Sequence, residues 1–434
     1  MKQLLFGLAD QGFAVGSMFL VNVVLARTQS KEEYGMFALS YSIFTFLAGL
    51  HNAVVLEPFT VYGSGRYRNR FASYWPLMMG GNLFIGMVLS AGLLLTYLLF
   101  TVVAPALNSR ALVGLAIALS FLLTGLFVRR TFYVLHQPLR AAELSLVYFS
   151  VVALLLWIGA KIRLLNGFGV FLILALSWLI AGLTLFRKLP SRERSRAFLN
   201  SEPHYGKEHW KYTRWVLVTA LIFQFTHQGY YWLVGGFLSV KEVGELKAMY
   251  VLIAPIEQVM ISLSFMFLPA LASKYACGDT RAFVTSWRRY TFLILGITLT
   301  FALAIRMAGS TVVHILYSGK FDGLGSLPFL LALVPLAMGI GNTANDAIKA
   351  AEKPRFVFNA YVSSAVATFA VGIPLVRSLG LRGAAWGMIF SAATYSATLF
   401  ITFRLRVHVP RQSPGIVAYA GAAHLPSLEE RAGD

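Results

Sequence analysis

The segment Leu25-Ala-Arg-Thr-Gln-Ser-Lys-Glu-Glu-Tyr-Gly35, followed by the letters MFALSY, has a counterpart 209 residues later in the chain. The counterpart reads Val234-Gly-Gly-Phe-Leu-Ser-Val-Lys-Glu-Val-Gly244 and is followed by ELKAMY. In both segments an apolar run ends, a Glu-X-Gly turn follows, and a second apolar run begins. This recurrence predicts a chain built from two similar halves, with the turn joining the first two helices of each half.

Two further pairs of segments recur in the same order. Leu56–Pro58 corresponds to Phe267–Pro269 and His136–Pro138 to Glu352–Pro354, at shifts of 211 and 216 residues. Each half is predicted to hold six membrane spans, which is an even number. The repeats are therefore predicted to be parallel and related by an axis along the membrane normal, an architecture used for alternating access.

The composition indicates a membrane protein. Of the 434 residues, 57% are hydrophobic and 13% are charged, whereas a soluble domain has about 45–50% and about 25%. Twelve spans of about 22 residues would occupy roughly 264 residues and leave no room for a soluble domain. The runs are too long for β-strands and lack strand alternation. The predicted helical spans lie at about residues 4–26, 36–58, 74–104, 111–135, 139–162, 166–187, 213–238, 246–272, 287–316, 326–350, 356–378 and 383–405.

The formal charge of +19 arises from cations placed between the apolar runs. With the N-terminus inside, 26 of the 37 Lys and Arg residues fall in inner segments, so the positive-inside rule predicts cytoplasmic N- and C-termini. No separate basic domain indicates nucleic-acid binding. The predicted organisation is an N-lobe (1–187), a cytoplasmic linker (188–212), a C-lobe (213–405) and a poorly ordered cytoplasmic tail (406–434).

The first turn and its surroundings are similar to a known family. Asn22–Arg27 followed by Ser30–Ala38, with Asp10-Gln11 upstream and Leu56–Pro58 downstream, resembles the polysaccharide-exporter and O-antigen flippase branch of the multidrug/oligosaccharidyl-lipid/polysaccharide (MOP) superfamily. The resemblance implies an all-α polytopic membrane protein with two pseudo-symmetric six-helix lobes, MATE-like, around a V-shaped central cavity. It also implies translocation of an undecaprenyl-diphosphate-linked oligosaccharide across a bacterial inner membrane, with membrane lipid and polysaccharide polymerase or glycosyltransferase proteins as partners. The second lobe departs from the pattern, because Gly236 stands at the position of Arg27.

Polar residues within spans are costly and mark candidate transport sites. Those on the first two helices of each lobe are predicted to converge on a central cavity, although side chains such as Asn22 and Asn52 could instead hold helices together. His51 and His227 could equally be neutral structural imidazoles. The arginines and lysine near the predicted cytoplasmic ends could catch a diphosphate or form ion pairs, such as Lys349 with Asp346. The substrate-binding candidates are Gln11, Asn22, His51, Asn52, Arg66, Arg129, Arg130, Gln224, His227, Gln228 and Lys349.

Four carboxylates are candidates for ion coupling: Asp10, Glu57, Glu257 and Asp346. A proton or Na⁺ bound there would give antiport. Alternatively, membrane potential alone could drive export, since moving two phosphate charges across 100 mV is worth about 4.6 kcal/mol. The chain has no phosphate-binding loop of the ATPase type, and no cofactor or resident metal is expected.

The sequence therefore predicts a lipid-linked oligosaccharide flippase that works by alternating access. A cation-coupled multidrug exporter of the MATE type is the first alternative, and a non-transporting subunit of a polysaccharide-synthesis complex is the second. A cationic-drug exporter should line its cavity with carboxylates and aromatic rings, and a diphosphate flippase with Arg, Lys and neutral donors. The polar residues of the spans are a mixture of both kinds. The sequence contains neither a His/Cys/carboxylate cluster with metal-ligand spacing nor a Gly-X-Ser-X-Gly elbow, so it gives no indication of an enzyme.

Overall fold

The computed structural model describes residues 2–103, 110–162, 165–189, 204–351, 353 and 355–407. Within these ranges the regular structure is helical and no strand occurs. Most of the predicted linker, the tail beyond residue 407 and two members of the third repeat pair, Glu352 and Pro354, lie outside the described residues.

The helices follow one another through two sets. The N-lobe contains α1 (Lys2–Thr28), α2 (Lys31–His51), α3 (Glu57–Ser64), α4 (Phe71–Val103), α5 (Arg110–Val134), α6 (Pro138–Lys161) and α7 (Gly167–Thr184). The C-lobe contains α8 (Tyr205–Phe237), α9 (Val240–Val251), α10 (Ala254–Ala276), α11 (Thr280–Tyr317), α12 (Leu327–Ala350), α13 (Arg355–Ala370) and α14 (Gly372–Arg406).

Within the described residues, ten helical stretches are long and apolar enough to cross a membrane, whereas the sequence predicted twelve spans. The helix α8 is not among the ten, and it begins at Tyr205, inside the stretch predicted as linker. The helix α13 has only 16 residues and continues past a break at Val371 into α14. The chain is an all-α, multi-pass membrane protein, as predicted.

Three of the helical spans are interrupted close to a proline or at a glycine. Asn52–Leu56 forms a π-helix between α2 and α3 and is followed by Glu57 and Pro58. The missing N–H of Pro58 prevents the regular pattern of hydrogen bonds. Pro255 follows the break between α9 and α10. Gly380 interrupts α14 with φ of 59°, a conformation that favours glycine.

The helix packing repeats from one lobe to the other. In the N-lobe α1 packs against α6, α5 against α4 and α7, and α6 against α7. In the C-lobe the corresponding helices pair in the same way: α8 against α13, α12 against α11 and α14, and α13 against α14. These matched pairs agree with the internal repeat read from the sequence. Between the lobes, α2 packs against α8 and α9.

The two repeated turns meet each other across the lobe boundary. A Cβ atom on Gly35 would lie 1.9 Å from the carbonyl oxygen of Val240, and one on Gly244 would lie 2.5 Å from the carbonyl oxygen of Lys31. Both glycines are therefore required by the close approach of the α2 and α9 backbones. We call this end of the molecule, where α1 ends and α2 begins, the latch end, and the opposite end, where α8 begins, the linker end.

Two cationic side chains, each near the end of one helix and bonded to the end of the other, also hold the latch end closed. Arg27 donates to the carbonyl oxygens of Ile315 and Leu316 at the C-terminus of α11. Lys320, just after α11, donates to the carbonyl oxygens of Ala26, Arg27 and Gln29 at the C-terminus of α1. Each cation thus lies at the negative end of a helix dipole of the other lobe.

A salt bridge accompanies these caps. Lys31 Nζ lies 2.7 Å from Glu245 Oε1, across the boundary between α2 and α9. We refer to Arg27, Lys31, Glu245 and Lys320 together as the latch. Arg27 thus acts on the opposite lobe in this structure, which gives a role to the position at which the repeat departs from symmetry.

Candidate functional site

Asp10 is held inside the N-lobe by a full set of hydrogen bonds. Its carboxylate accepts from Arg129 Nε at 2.8 Å and from the terminal Nη2 of the same arginine at 2.6 Å. The hydroxyls of Tyr133 and Ser145 also donate to it. Asp10 is 0% exposed. Removing one partner of such a buried pair costs about 3–5 kcal/mol, so both residues stabilise the N-lobe.

Nearer the linker end, a second polar group brings together three other predicted residues. Arg130 donates to Asn52 Oδ1 at 3.1 Å, and Glu57 is close enough to Arg130 to interact electrostatically. Glu57 also accepts from the hydroxyl of Tyr212 on α8 at 2.9 Å. At the same end Arg66 forms an ion pair with Glu208 at 2.7 Å. The first turns of α8 therefore dock on the N-lobe.

Asn22 and His51 are engaged within the N-lobe. Asn22 donates to the carbonyl of Met18 at 2.7 Å and accepts from the Tyr34 hydroxyl at 3.0 Å. His51 Nε2 is 2.7 Å from Asn82 Oδ1, and His51 Nδ1 is buried without a partner in the described part of the chain. Gln11 follows Asp10 on α1 and is partly exposed.

The predicted polar stripe on α8 divides between two surroundings. Gln224 packs against α2, where a Cβ on Gly49 would meet its Nε2 atom at 1.7 Å. Gln228, one turn further along, is buried like Gln224. His227 instead lines a cavity inside the C-lobe. The stripe therefore does not converge on one site.

The structure brings to the lobe boundary a cation that the sequence analysis placed at the very start of a predicted span and did not name as a candidate. Lys247 lies on α9, and its Nζ is 4.8 Å from the ring centroid of Tyr41 and 5.4 Å from that of Tyr231. Tyr41 belongs to the N-lobe, so the two lobes share this aromatic cage. None of the ion pairs found among the described residues includes Lys247.

Glu257 lies beside this cage. Its Oε1 accepts from the Tyr250 hydroxyl at 2.7 Å, and it is near enough to Lys247 for an electrostatic attraction. Lys247 is seven residues from the start of α9, which places it roughly 10 Å from the latch end at 1.5 Å per residue. We call Lys247, Tyr41, Tyr231, Tyr250 and Glu257 the central cluster.

A cavity of about 310 Å³ opens next to the central cluster, within the C-lobe. Its lining comes from helices α8, α9, α10, α12, α13 and α14. Glu257 and Tyr250 form part of its wall. The rest of the wall combines aromatic rings with amides and hydroxyls, including Phe223, His227, Tyr361, Tyr395, Asn342 and Asn345. No lysine or arginine lines it among the residues described.

The remaining candidates lie outside this cavity. Asp346 is buried and accepts from the Tyr290 hydroxyl at 2.9 Å, whereas Lys349 is exposed. In the described ranges no group of three or more His, Cys, Asp or Glu side chains could hold a metal ion.

No family model and no curated protein matches the chain. Among solved structures, a MOP superfamily transporter from Pyrococcus furiosus superposes with a TM-score of 0.66 at 11% identity, covering 93% of this chain and 94% of that one. The chain has the MOP transporter fold. An inward-facing multidrug-resistance MATE family transporter of the superfamily gives a TM-score of 0.63 at 15% identity, with the same coverage of 93% and 94%. A MATE transporter from Vibrio cholerae gives 0.61 at 14%, covering 93% and 96%.

These superpositions show that the MOP fold extends over nearly the whole chain. Within that fold the central cluster lies where the two lobes face each other, and the C-lobe cavity lies beside it. The signal that could have revealed Lys247 from sequence is the Ser239-X-X-Glu242 spacing, a capping box that starts a helix at residue 240. Starting the helix there would have placed Lys247 about two turns inside it and not at its first turn.

Proposed function

We propose that the chain is a flippase that moves an anionic, lipid-linked oligosaccharide diphosphate across a bacterial inner membrane by alternating access. Lys247 is the observation that carries the proposal. A cation held at the lobe boundary by two rings, without a carboxylate partner in contact, is expensive inside a membrane and is expected to have a functional partner. A phosphate group supplies the missing charge.

The position of Lys247 suits a residue that binds the transported group better than one that only stabilises the fold. The cage is built by both lobes, so the movement of one lobe against the other changes it directly. Glu257 competes for the same ammonium group from the C-lobe side. Binding of a diphosphate would therefore weaken the attraction between Lys247 and Glu257 and leave the carboxylate available for a proton or Na⁺.

Cations at the linker end support the same substrate class. Arg66 and Arg130 lie near the place where α8 docks on the N-lobe, and guanidinium groups recognise phosphate with paired donors. In the proposed cycle this end faces the cytoplasm and receives the diphosphate. The latch end, which is closed here by the two glycines and the exchanged cations, faces outward and opens for release.

One observation favours a second candidate, a cation-coupled exporter of amphipathic cations. The C-lobe cavity contains one carboxylate, Glu257, and several aromatic rings, which is the lining expected for an organic cation. The similar P. furiosus protein is described as having a binding pocket of reverse polarity that suggests a different function. Pocket polarity is therefore the property that separates the two candidates.

The test is equilibrium binding to the purified chain in lipid nanodiscs. Farnesyl diphosphate serves as a short lipid-diphosphate probe and tetraphenylphosphonium as a cationic probe. We expect saturable binding of farnesyl diphosphate that weakens as salt increases, because the contacts are ionic. Binding of tetraphenylphosphonium alone would overturn the flippase proposal in favour of the cation exporter.

A further inference from the structure

The C-lobe cavity contains a polar group whose hydrogen-bonding capacity is unused. Asn345 Oδ1 is buried and has no partner among the described residues. His227 and Asn342 also line the cavity and are partly exposed. Buried polar groups in proteins nearly always have a partner. The unpartnered Asn345 Oδ1, with His227 and Asn342 facing the same cavity, therefore points to a polar ligand.

The chemistry of the lining selects among ligands. An amide offers both donors and an acceptor, and a neutral imidazole offers one of each, which suits hydroxyl groups that donate and accept at the same time. Tyr361 and Tyr395 form a stacked pair with centroids 5.5 Å apart, and a flat aromatic surface packs well against the C–H face of a sugar ring.

The charges of the wall fit two other classes of ligand less well. A phosphate would find no lysine or arginine on the described wall. A small cation would find one carboxylate, Glu257, whose Oε1 is already bonded to Tyr250 and whose charge is offset by Lys247. An uncharged polyhydroxyl group fits the lining better than either. The volume of about 310 Å³ is at the lower end of the usual range for small-ligand pockets.

We propose that this cavity binds the first, uncharged sugar of the lipid-linked oligosaccharide, while Lys247 holds the diphosphate. The inference rests on the proposed function and assigns its substrate a second point of recognition. Glu257 and Tyr250 belong both to the central cluster and to the cavity wall, so the two subsites are adjacent. That adjacency matches a glycan whose first sugar is bonded directly to the diphosphate.

The experiment compares probes that differ only in the sugar. Farnesyl diphosphate is titrated into the full chain in nanodiscs beside farnesyl diphosphate carrying glucose, galactose or N-acetylglucosamine. We expect at least one glycosylated probe to bind about 10-fold more tightly, the effect of one or two added buried hydrogen bonds. Asn345→Leu and, separately, Tyr361→Ala should reduce that ratio to about one while farnesyl diphosphate binds as before.

The control variant changes an asparagine outside the cavity. Asn359→Leu changes an exposed asparagine on the adjacent helix α13 and should leave the ratio unchanged. If farnesyl diphosphate binds through Lys247 but no sugar tightens binding, the sugar subsite is wrong and the proposed function survives. If no diphosphate probe binds, the proposed function itself fails. If tetraphenylphosphonium binds and Asn345→Leu abolishes that binding, the cavity is a cation site and the sugar subsite is overturned.

Discussion

Replacing Lys247 with glutamine should weaken the binding of farnesyl diphosphate by about 30-fold or more. Truncating one partner of a buried charge pair costs about 2–5 kcal/mol, and 2 kcal/mol corresponds to roughly 30-fold in affinity. Glutamine keeps the polarity and most of the length of the side chain, so the variant mainly removes the charge between Tyr41 and Tyr231. Titration of the probe into the purified protein gives the affinity directly.

The control is Lys241→Gln on the same helix, because Lys241 is exposed at the start of α9. It should bind the probe as the parent protein does, and Lys247→Arg should retain most of the affinity. Equal affinities for the parent and Lys247→Gln would show that this cation serves the packing of the lobes and not the substrate.

Replacing Gly35 with valine should open the latch end and abolish transport. The new Cβ would lie 1.9 Å from the carbonyl oxygen of Val240, and a backbone atom cannot move aside as a side-chain end can. Overpacking of this kind costs about 1–3 kcal/mol or more, so the population of the closed state should fall about tenfold or further. The measurement is the distance distribution between spin labels at Thr28 and Gly323, with Cys277 replaced by alanine.

Both label sites lie at the latch end, one in each lobe, and a side chain at Gly323 meets no atom within 4 Å. Gly236→Val is the matched control, because a Cβ there also meets no atom within 4 Å. It should leave the short-distance population intact. An unchanged distribution in Gly35→Val would mean that the crossing of α2 and α9 does not hold the lobes together.

Much of the fold was predictable because hydropathy and the repeated turns are local signals. The Glu-X-Gly recurrence indicated two halves, and the structure adds that the glycines of the two turns, Gly35 and Gly244, pack against the opposite turn. The predicted span at 213–238 found α8 but began it about eight residues late, because the first turns of that helix are polar and read as linker. The broken span of α9 and α10 was read as one helix starting at residue 246, which left Lys247 at its edge.

The site was less predictable because its contacts join distant parts of the chain. Asp10 and Arg129 were each identified as candidates, but their pairing across 119 residues cannot be read from spacing. Helical periodicity placed Gln224 and His227 on one face of α8. That face borders both the N-lobe and the C-lobe cavity, so neighbouring turns of one stripe have different surroundings.

Translocation in proteoliposomes tests the central claim most directly. Vesicles containing the chain are loaded with radiolabelled farnesyl-diphosphate-linked N-acetylglucosamine on one leaflet, and its arrival on the other is followed by cleavage with an added pyrophosphatase. The account predicts protein-dependent movement that accelerates when the destination side is made electrically positive, since the transported group is anionic. No protein-dependent movement of the glycolipid, with transport of tetraphenylphosphonium by the same vesicles, would contradict it.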